Sequence, residues 1–139
     1  MKTPGPSSDH KETQRPVLCP FCRIESLCII LENKTAFAVK DTSPVSLDHM
    51  LILPKRHCPD YFHMTREERC DAHDLIEKLK ALILVRDPSV QGFNIGVNCG
   101  ETAGQTIFHA HIHFIPRRKN DTPHPRGGVR GVIPDKMNY

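Results

Sequence analysis

The chain has 139 residues, enough for one domain with a real core and too few for several. It is 38% hydrophobic and 25% charged, an ordinary globular balance, and it lacks the apolar run of roughly 18 residues that spans a membrane. A formal net charge of +3 favours anionic ligands mildly but falls short of a nucleic-acid-binding signature, so neither a membrane nor nucleic acid is expected as a partner.

In chain order, Met1 to Pro16 is polar, rich in Pro, Ser and Lys, and has none of the apolar core of a secretory signal. Residues 1–17 are therefore expected to form a disordered tail. The expected setting is reducing and cytoplasmic, where the six cysteines stay thiols or bind metal. Only Cys19 and Cys22, in Cys19-Pro20-Phe21-Cys22, stand at ligand spacing, on a knuckle or short helical turn. Two such thiolates can bite one tetrahedral ion but need two more ligands. A redox pair is the rival, and the thioredoxin-like strand-to-helix pattern it needs is missing. Cys28, Cys58, Cys70 and Cys99 read as buried small apolar side chains.

Residues 28–31 and 37–39 read as short strands around the turn Glu32-Asn33-Lys34-Thr35. Asp41-Thr42-Ser43-Pro44 is a loop. Residues 50–53 form a buried strand stopped by Pro54. Residues 65–86 predict the one long helix. Thr65-Arg66-Glu67-Glu68 is a capping box, and Leu75, Ile76, Leu79, Leu82 and Ile83 recur at helical spacing. Asp87-Pro88 ends it. Phe93, Ile95 and Val97 alternate along a fourth strand, and residues 109–115 make a fifth after a Gly-containing connection. The pattern predicts an α+β domain: a five-stranded antiparallel sheet with one long helix and a short N-terminal helix. His10, His63, His73 and His124 have no partner spacing that argues for a role.

The fifth strand carries the chemistry. His109, His111 and His113 alternate with Ala110, Ile112 and Phe114, the period-2 pattern of a half-buried strand. All three imidazoles share one face, and imidazole suits proton transfer, nucleophilic attack and metal binding near neutral pH. A zinc site made by the three alone is the competing reading.

The stretch from Asn98 to Arg117, containing Gly104-Gln105-Thr106 and then His109-Ala110-His111-Ile112-His113-Phe114-Ile115, resembles the signature of the histidine-triad (HIT) superfamily of nucleotidyl hydrolases and transferases. A second block, Asp41 to Pro44 followed by His49 to His57, is similar to the upstream motif of that family. The resemblance covers about residues 19–118 and places a HIT domain at 18–118, followed by an extended tail at 119–139. It implies hydrolysis at the α-phosphate of a dinucleoside polyphosphate or related AMP derivative. His111 would be the nucleophile and form a covalent nucleotidyl-histidine. His113 would bind phosphate oxygens, and His49 would support the His111 ring or the proton transfers. Asn98, Gln105 and Thr106 would face the phosphate or leaving group, and Asp41 would hold the ribose. The resemblance also implies a structural zinc on Cys19, Cys22, His57 and His109, and a homodimer with a ten-stranded sheet. A nucleoside phosphoramidase, and a nucleotide-binding protein with little catalysis, are the alternatives. Arg126 and Arg130, in Pro125-Arg126-Gly127-Gly128-Val129-Arg130, resemble a C-terminal segment of some bacterial members and are candidates to reach a polyphosphate.

Overall fold

The computed structural model describes residues 18–139. The expected disordered tail at 1–17 lies outside the described residues. Five strands, β1 (Ile29–Glu32), β2 (Ala36–Lys40), β3 (Met50–Pro54), β4 (Val90–Gly96) and β5 (Ile112–Arg118), form one sheet in the order β1-β2-β3-β5-β4. Every neighbouring pair is antiparallel. One long helix, α1 (Arg66–Arg86), packs on one face. The expected short N-terminal helix is a single 3-10 turn at Ile24–Ser26. Among the described residues, no helix is long and apolar enough to cross a membrane.

Sequence and register explain the two layers. β3 sits between β2 and β5 and is buried along its whole length, so it reads as a continuous apolar run rather than an alternating one. Ala36, Ala38, Met50, Ile52, Ile112 and Phe114 pack against Ala72, Leu75, Leu79 and Ile83 of α1. On the opposite face, Phe37, Val39, Leu51 and Leu53 pack with Cys19, Phe21 and Cys22. The N-terminal knuckle therefore closes the side of the sheet away from the helix. Leu82, expected in the helix stripe, is 55% exposed.

The start of α1 is tied to the chain just before His57. The Thr65 hydroxyl accepts from the Glu68 N–H at 3.1 Å, and the Glu68 carboxylate accepts from the Thr65 N–H at 2.8 Å. The same carboxylate receives the Arg56 guanidinium at 2.9 Å. Burial works against this charge. The Arg56 guanidinium and the Thr65 N–H outweigh it and hold Glu68 below the usual carboxylate range.

β4 and β5 are displaced from their expected ranges of 93–97 and 109–115. β3 pairs with β5 only from Ile112, and β4 ends opposite His113. Residues 109–111 therefore precede the ladder, with the Ala110 N–H donating to the Cys58 carbonyl at 2.8 Å. Downstream, β5 runs through Pro116. The Pro116 carbonyl accepts from the Ser46 hydroxyl at 2.8 Å, on the β3 side, where that strand has already ended. Its missing N–H is thus lost where no ladder bond was available.

The C-terminal segment 119–139 carries 3-10 turns at Val129–Val132 and Pro134–Lys136. Gly127 has φ +84°, and a Cβ there would collide with the Met137 carbonyl, so the turn requires glycine.

Candidate active site and metal centre

The alternation read from the sequence partitions the side chains. Ala110, Ile112 and Phe114 enter the helix-side core. His109, His111 and His113 point the other way, and each meets a different environment.

His109 is fully buried. Its Nε2 lies 2.8 Å from the Pro54 carbonyl and donates to it, so Nδ1 keeps a free lone pair. That lone pair faces Cys19 Sγ and Cys22 Sγ, each at 3.5 Å, and Cys22 Sγ lies 3.2 Å from His57 Nδ1. The four ligand atoms all lie within 4.8 Å of one another. A tetrahedral zinc with sulfur at about 2.3 Å and nitrogen at about 2.0 Å separates neighbouring S and N ligands by roughly 3.5 Å. The donor set, the spacing and the carbonyl that fixes the His109 tautomer all fit zinc. The knuckle, the loop after β3 and the run into β5 bring together the four residues that the family resemblance implies as ligands.

His111 is fixed by backbone. Its Nδ1 lies 2.8 Å from the His109 carbonyl and donates to it, so in the neutral ring the lone pair is on Nε2. Phe21 packs against the ring at 5.3 Å between centroids and also meets His109 at 5.9 Å. The exposed lone pair of a neutral imidazole held in one orientation is the form that attacks an electrophile.

His113 is fixed by a second histidine. The Val45 N–H donates to His49 Nδ1 at 3.1 Å, so the His49 proton sits on Nε2. That atom lies 2.9 Å from His113 Nδ1, which must accept. The remaining His113 nitrogen, Nε2, therefore carries a proton and is a donor. His49 was expected to support His111 or the proton transfers; the ring it bonds is His113. Asp41 stands beside this pair, its carboxylate 3.4 Å from His49 Nε2 and 3.9 Å from His113 Nδ1. Asp41, His49 and His113 also lie within metal-binding distance of one another. The hydrogen bonds assign them otherwise, because a protonated Nε2 on His49 offers no lone pair to an ion.

Burial pushes the pKa of both rings of this pair below the ordinary histidine value. At His113 the neighbouring His111 and His49 push the same way, and Asp41 opposes the shift at both. The unfolded chain thus takes up these protons first. The stability they contribute is full above about pH 6.5 and is lost as pH falls through the lowered folded values. The melting temperature of the protein is expected to fall between about pH 7 and pH 5. In a His49→Asn, His113→Asn double variant that fall should be shallower, and equal slopes would refute the assignment.

A cleft of about 830 Å³ opens in front of His111 and His113. Its walls include Phe21, Leu27, Val39 and Ile107, with Asp41, Asn98 and Thr106 at its edge. Asp41 is bonded to the Ser43 N–H at 2.7 Å, so the loop it begins is folded back on it. Gly104, at φ +95°, ends the turn that leads into Thr106. Gln105 departs from expectation. It is buried, its Oε1 accepts from the Gly100 N–H, and its two amide hydrogens go to the Pro59 and Ile107 carbonyls. It has no donor left for a phosphate, and it acts by holding the 100–107 loop. Arg126 and Arg130 also point elsewhere, stacking on the Tyr139 ring at 4.5 and 4.9 Å. Two contributors went unread in the sequence. Phe21 was visible only as a spacer between ligands, and the Val45 N–H, a backbone group, leaves no trace in residue identity.

Fold and site together define a histidine-triad protein: an antiparallel sheet that presents one imidazole to a metal-type cluster and two to a cleft. The chain belongs to the HIT domain family, whose model matches residues 25–120. It is 39% identical over 115 residues to the adenylylsulfatase HINT3 of Arabidopsis thaliana, covering 74% of this chain and 54% of that protein. It is 32% identical over 93 residues to the bis(5'-adenosyl)-triphosphatase of Dictyostelium discoideum, covering 67% of this chain and 62% of the relative. The chain thus spans only about half to three-fifths of the length of these two relatives. Among solved structures it is similar to a zinc-bound histidine triad family protein from Mycobacterium smegmatis, with TM-score 0.68 and 27% identity, covering 83% of this chain and 90% of that one.

Proposed function

We propose that this protein is a nucleotidyl hydrolase acting at the α-phosphate of a dinucleoside polyphosphate or related AMP derivative. The observation that carries the reading is the tautomer of His111: Nδ1–H tied to the His109 carbonyl, Nε2 bare and facing the cleft. In the first step His111 Nε2 attacks the α-phosphorus. The bond from phosphorus to the leaving group breaks, and its electron pair departs with that group. His113 Nε2–H, held as a donor by His49, bonds the phosphoryl oxygens as charge builds on them. In the second step water attacks the nucleotidyl-histidine, the P–N bond breaks back onto His111, and the mononucleotide leaves with the proton passing to solvent. Asn98 and Thr106 flank the phosphate, Asp41 takes the ribose hydroxyls, and the apolar wall of Phe21, Leu27 and Val39 receives the base. The relatives named adenylylsulfatase and bis(5'-adenosyl)-triphosphatase support a shared adenylyl step with different leaving groups.

The reading is tested by incubating the protein side by side with diadenosine polyphosphates and an AMP phosphoramidate and following AMP. A rapid quench should trap one adenylyl group on His111. Turnover without any trappable adenylate would overturn the covalent route. Faster turnover of the phosphoramidate would place the protein with the phosphoramidases.

Cys19, Cys22, His57 and His109 would hold the zinc in a closed, structural site that ties the knuckle to the sheet. The thiolates this requires suit a cytoplasmic setting. The free edge of β4, with Ile95 on that strand and Leu82 and Val85 exposed on α1, is the surface through which two copies would extend the sheet into a homodimer. An Ile95→Asp variant should then run as a monomer where the wild type runs as a dimer in light scattering. Identical masses would remove this interface.

A further inference from the structure

A second cleft, of about 500 Å³, lies over β4 and β5 beside the first. His113 and Asn98 border both clefts, whereas His111 borders only the first. The outer wall of the second is made by the chain's own C-terminal segment. Val129 and Val132 line it together with Val45 and Ile115. The Gly127 turn described above brings this segment back, and Gly128 lies against Asn94 of β4, where a Cβ would be in ordinary contact with its amide at 3.5 Å. Arg130 donates to the Lys136 carbonyl at 2.9 Å and stacks with Arg126 on Tyr139, which holds the wall in place from outside.

We infer that this second cleft receives the distal end of the leaving group and selects an uncharged aromatic one, a second nucleobase, over a bare anion. The inference rests on the hydrolase reading above. An in-line displacement sends the leaving group away from the nucleophile. The His113 ring, 5.4 Å from that of His111 between centroids, borders this cleft as well as the first. The volume lies in the range of pockets that hold a small organic group. The charge on its walls decides the chemistry. Arg117 is the one Lys or Arg on the lining, and it is committed. Its guanidinium forms a bidentate pair with Asp121, with both bonds at 2.8 Å, and donates to the Asn94 side-chain Oδ1 at 2.6 Å. The pairing holds Asp121 far below the usual carboxylate range. A terminal sulfate or phosphate entering here would meet a valine wall and a carboxylate whose cation is already taken. A flat, neutral heterocycle would bury apolar surface against Val45, Ile115, Val129 and Val132.

The test uses diadenosine triphosphate and adenylyl sulfate, which share the adenylyl half and differ in the leaving group. Val129 and Val132 are 68% and 75% exposed, so a Val129→Asp, Val132→Asp variant does not disturb the core. The ratio of kcat/KM for diadenosine triphosphate to that for adenylyl sulfate should fall at least about tenfold in the variant. In a His111→Asn background, the ratio of the Kd for diadenosine triphosphate to the Kd for AMP should rise by a similar factor. If both ratios stay at their starting values, the leaving group is not read by this wall and the inference is wrong. If the wild type turns over neither compound while the Kd ratio still rises, the hydrolase reading fails and the subsite stands.

Discussion

A His111→Asn substitution is expected to lower turnover by roughly 10⁴-fold or more while leaving AMP binding within a few-fold of wild type. The side-chain amide of Asn can replace the Nδ1–H bond to the His109 carbonyl, so the local backbone keeps its partner. What it cannot replace is the lone pair of Nε2. The loss should therefore appear in kcat, because the cleft walls of Phe21, Leu27 and Val39 are untouched. Steady-state kinetics with AMP titration checks this, and circular dichroism confirms the fold. A folded variant that retains more than about a tenth of the wild-type rate would mean that another group attacks phosphorus.

The second large effect is expected at the knuckle. Protein purified without added zinc should contain one zinc per chain, and Cys19→Ser should lose it. Because the four ligands converge only in the folded chain, metal binding and folding are one equilibrium. The melting temperature should drop by about 10 °C or more, since Cys19 and Cys22 also belong to the apolar cluster with Phe37 and Leu53. Metal analysis and thermal unfolding measured on the same samples decide it. A wild-type protein that is equally stable without metal, with Cys19 and Cys22 freely titratable, would remove the zinc centre.

The face on which each histidine lies was legible in the sequence because alternation belongs to any extended backbone, paired or not. Ladder membership was not legible to the same degree. Residues 109–111 precede β5, with His109 in a bend; β3 and β4 do not reach them, and the Ala110 N–H goes to the Cys58 carbonyl instead of to a neighbouring strand. The spacing of Cys19 and Cys22 exposed half of the Cys/His cluster. The other half, His57 and His109, came from family resemblance, because the meeting of chain segments 35 and 87 residues distant from Cys22 is a tertiary fact. Gln105 shows the opposite case. Its identity advertised donors, but the Pro59 and Ile107 carbonyls claimed both amide hydrogens. The Val45 N–H that sets the proton on His49 could not be read at all, since every residue but proline carries that group.

His109 serves two centres with two different parts of itself. Its ring belongs to the cysteine cluster, and its carbonyl aims His111. The bonds from that ring to that carbonyl are covalent and few, so the anchor and the nucleophile share one lever arm. The Pro54 carbonyl that grips the ring from behind is the fulcrum. The ring and the carbonyl are gripped separately, by Pro54 and by the His111 Nδ1–H, on either side of one Cα. Precision at the reacting atom is thus set two residues upstream, at a histidine whose own ring is shut away from solvent.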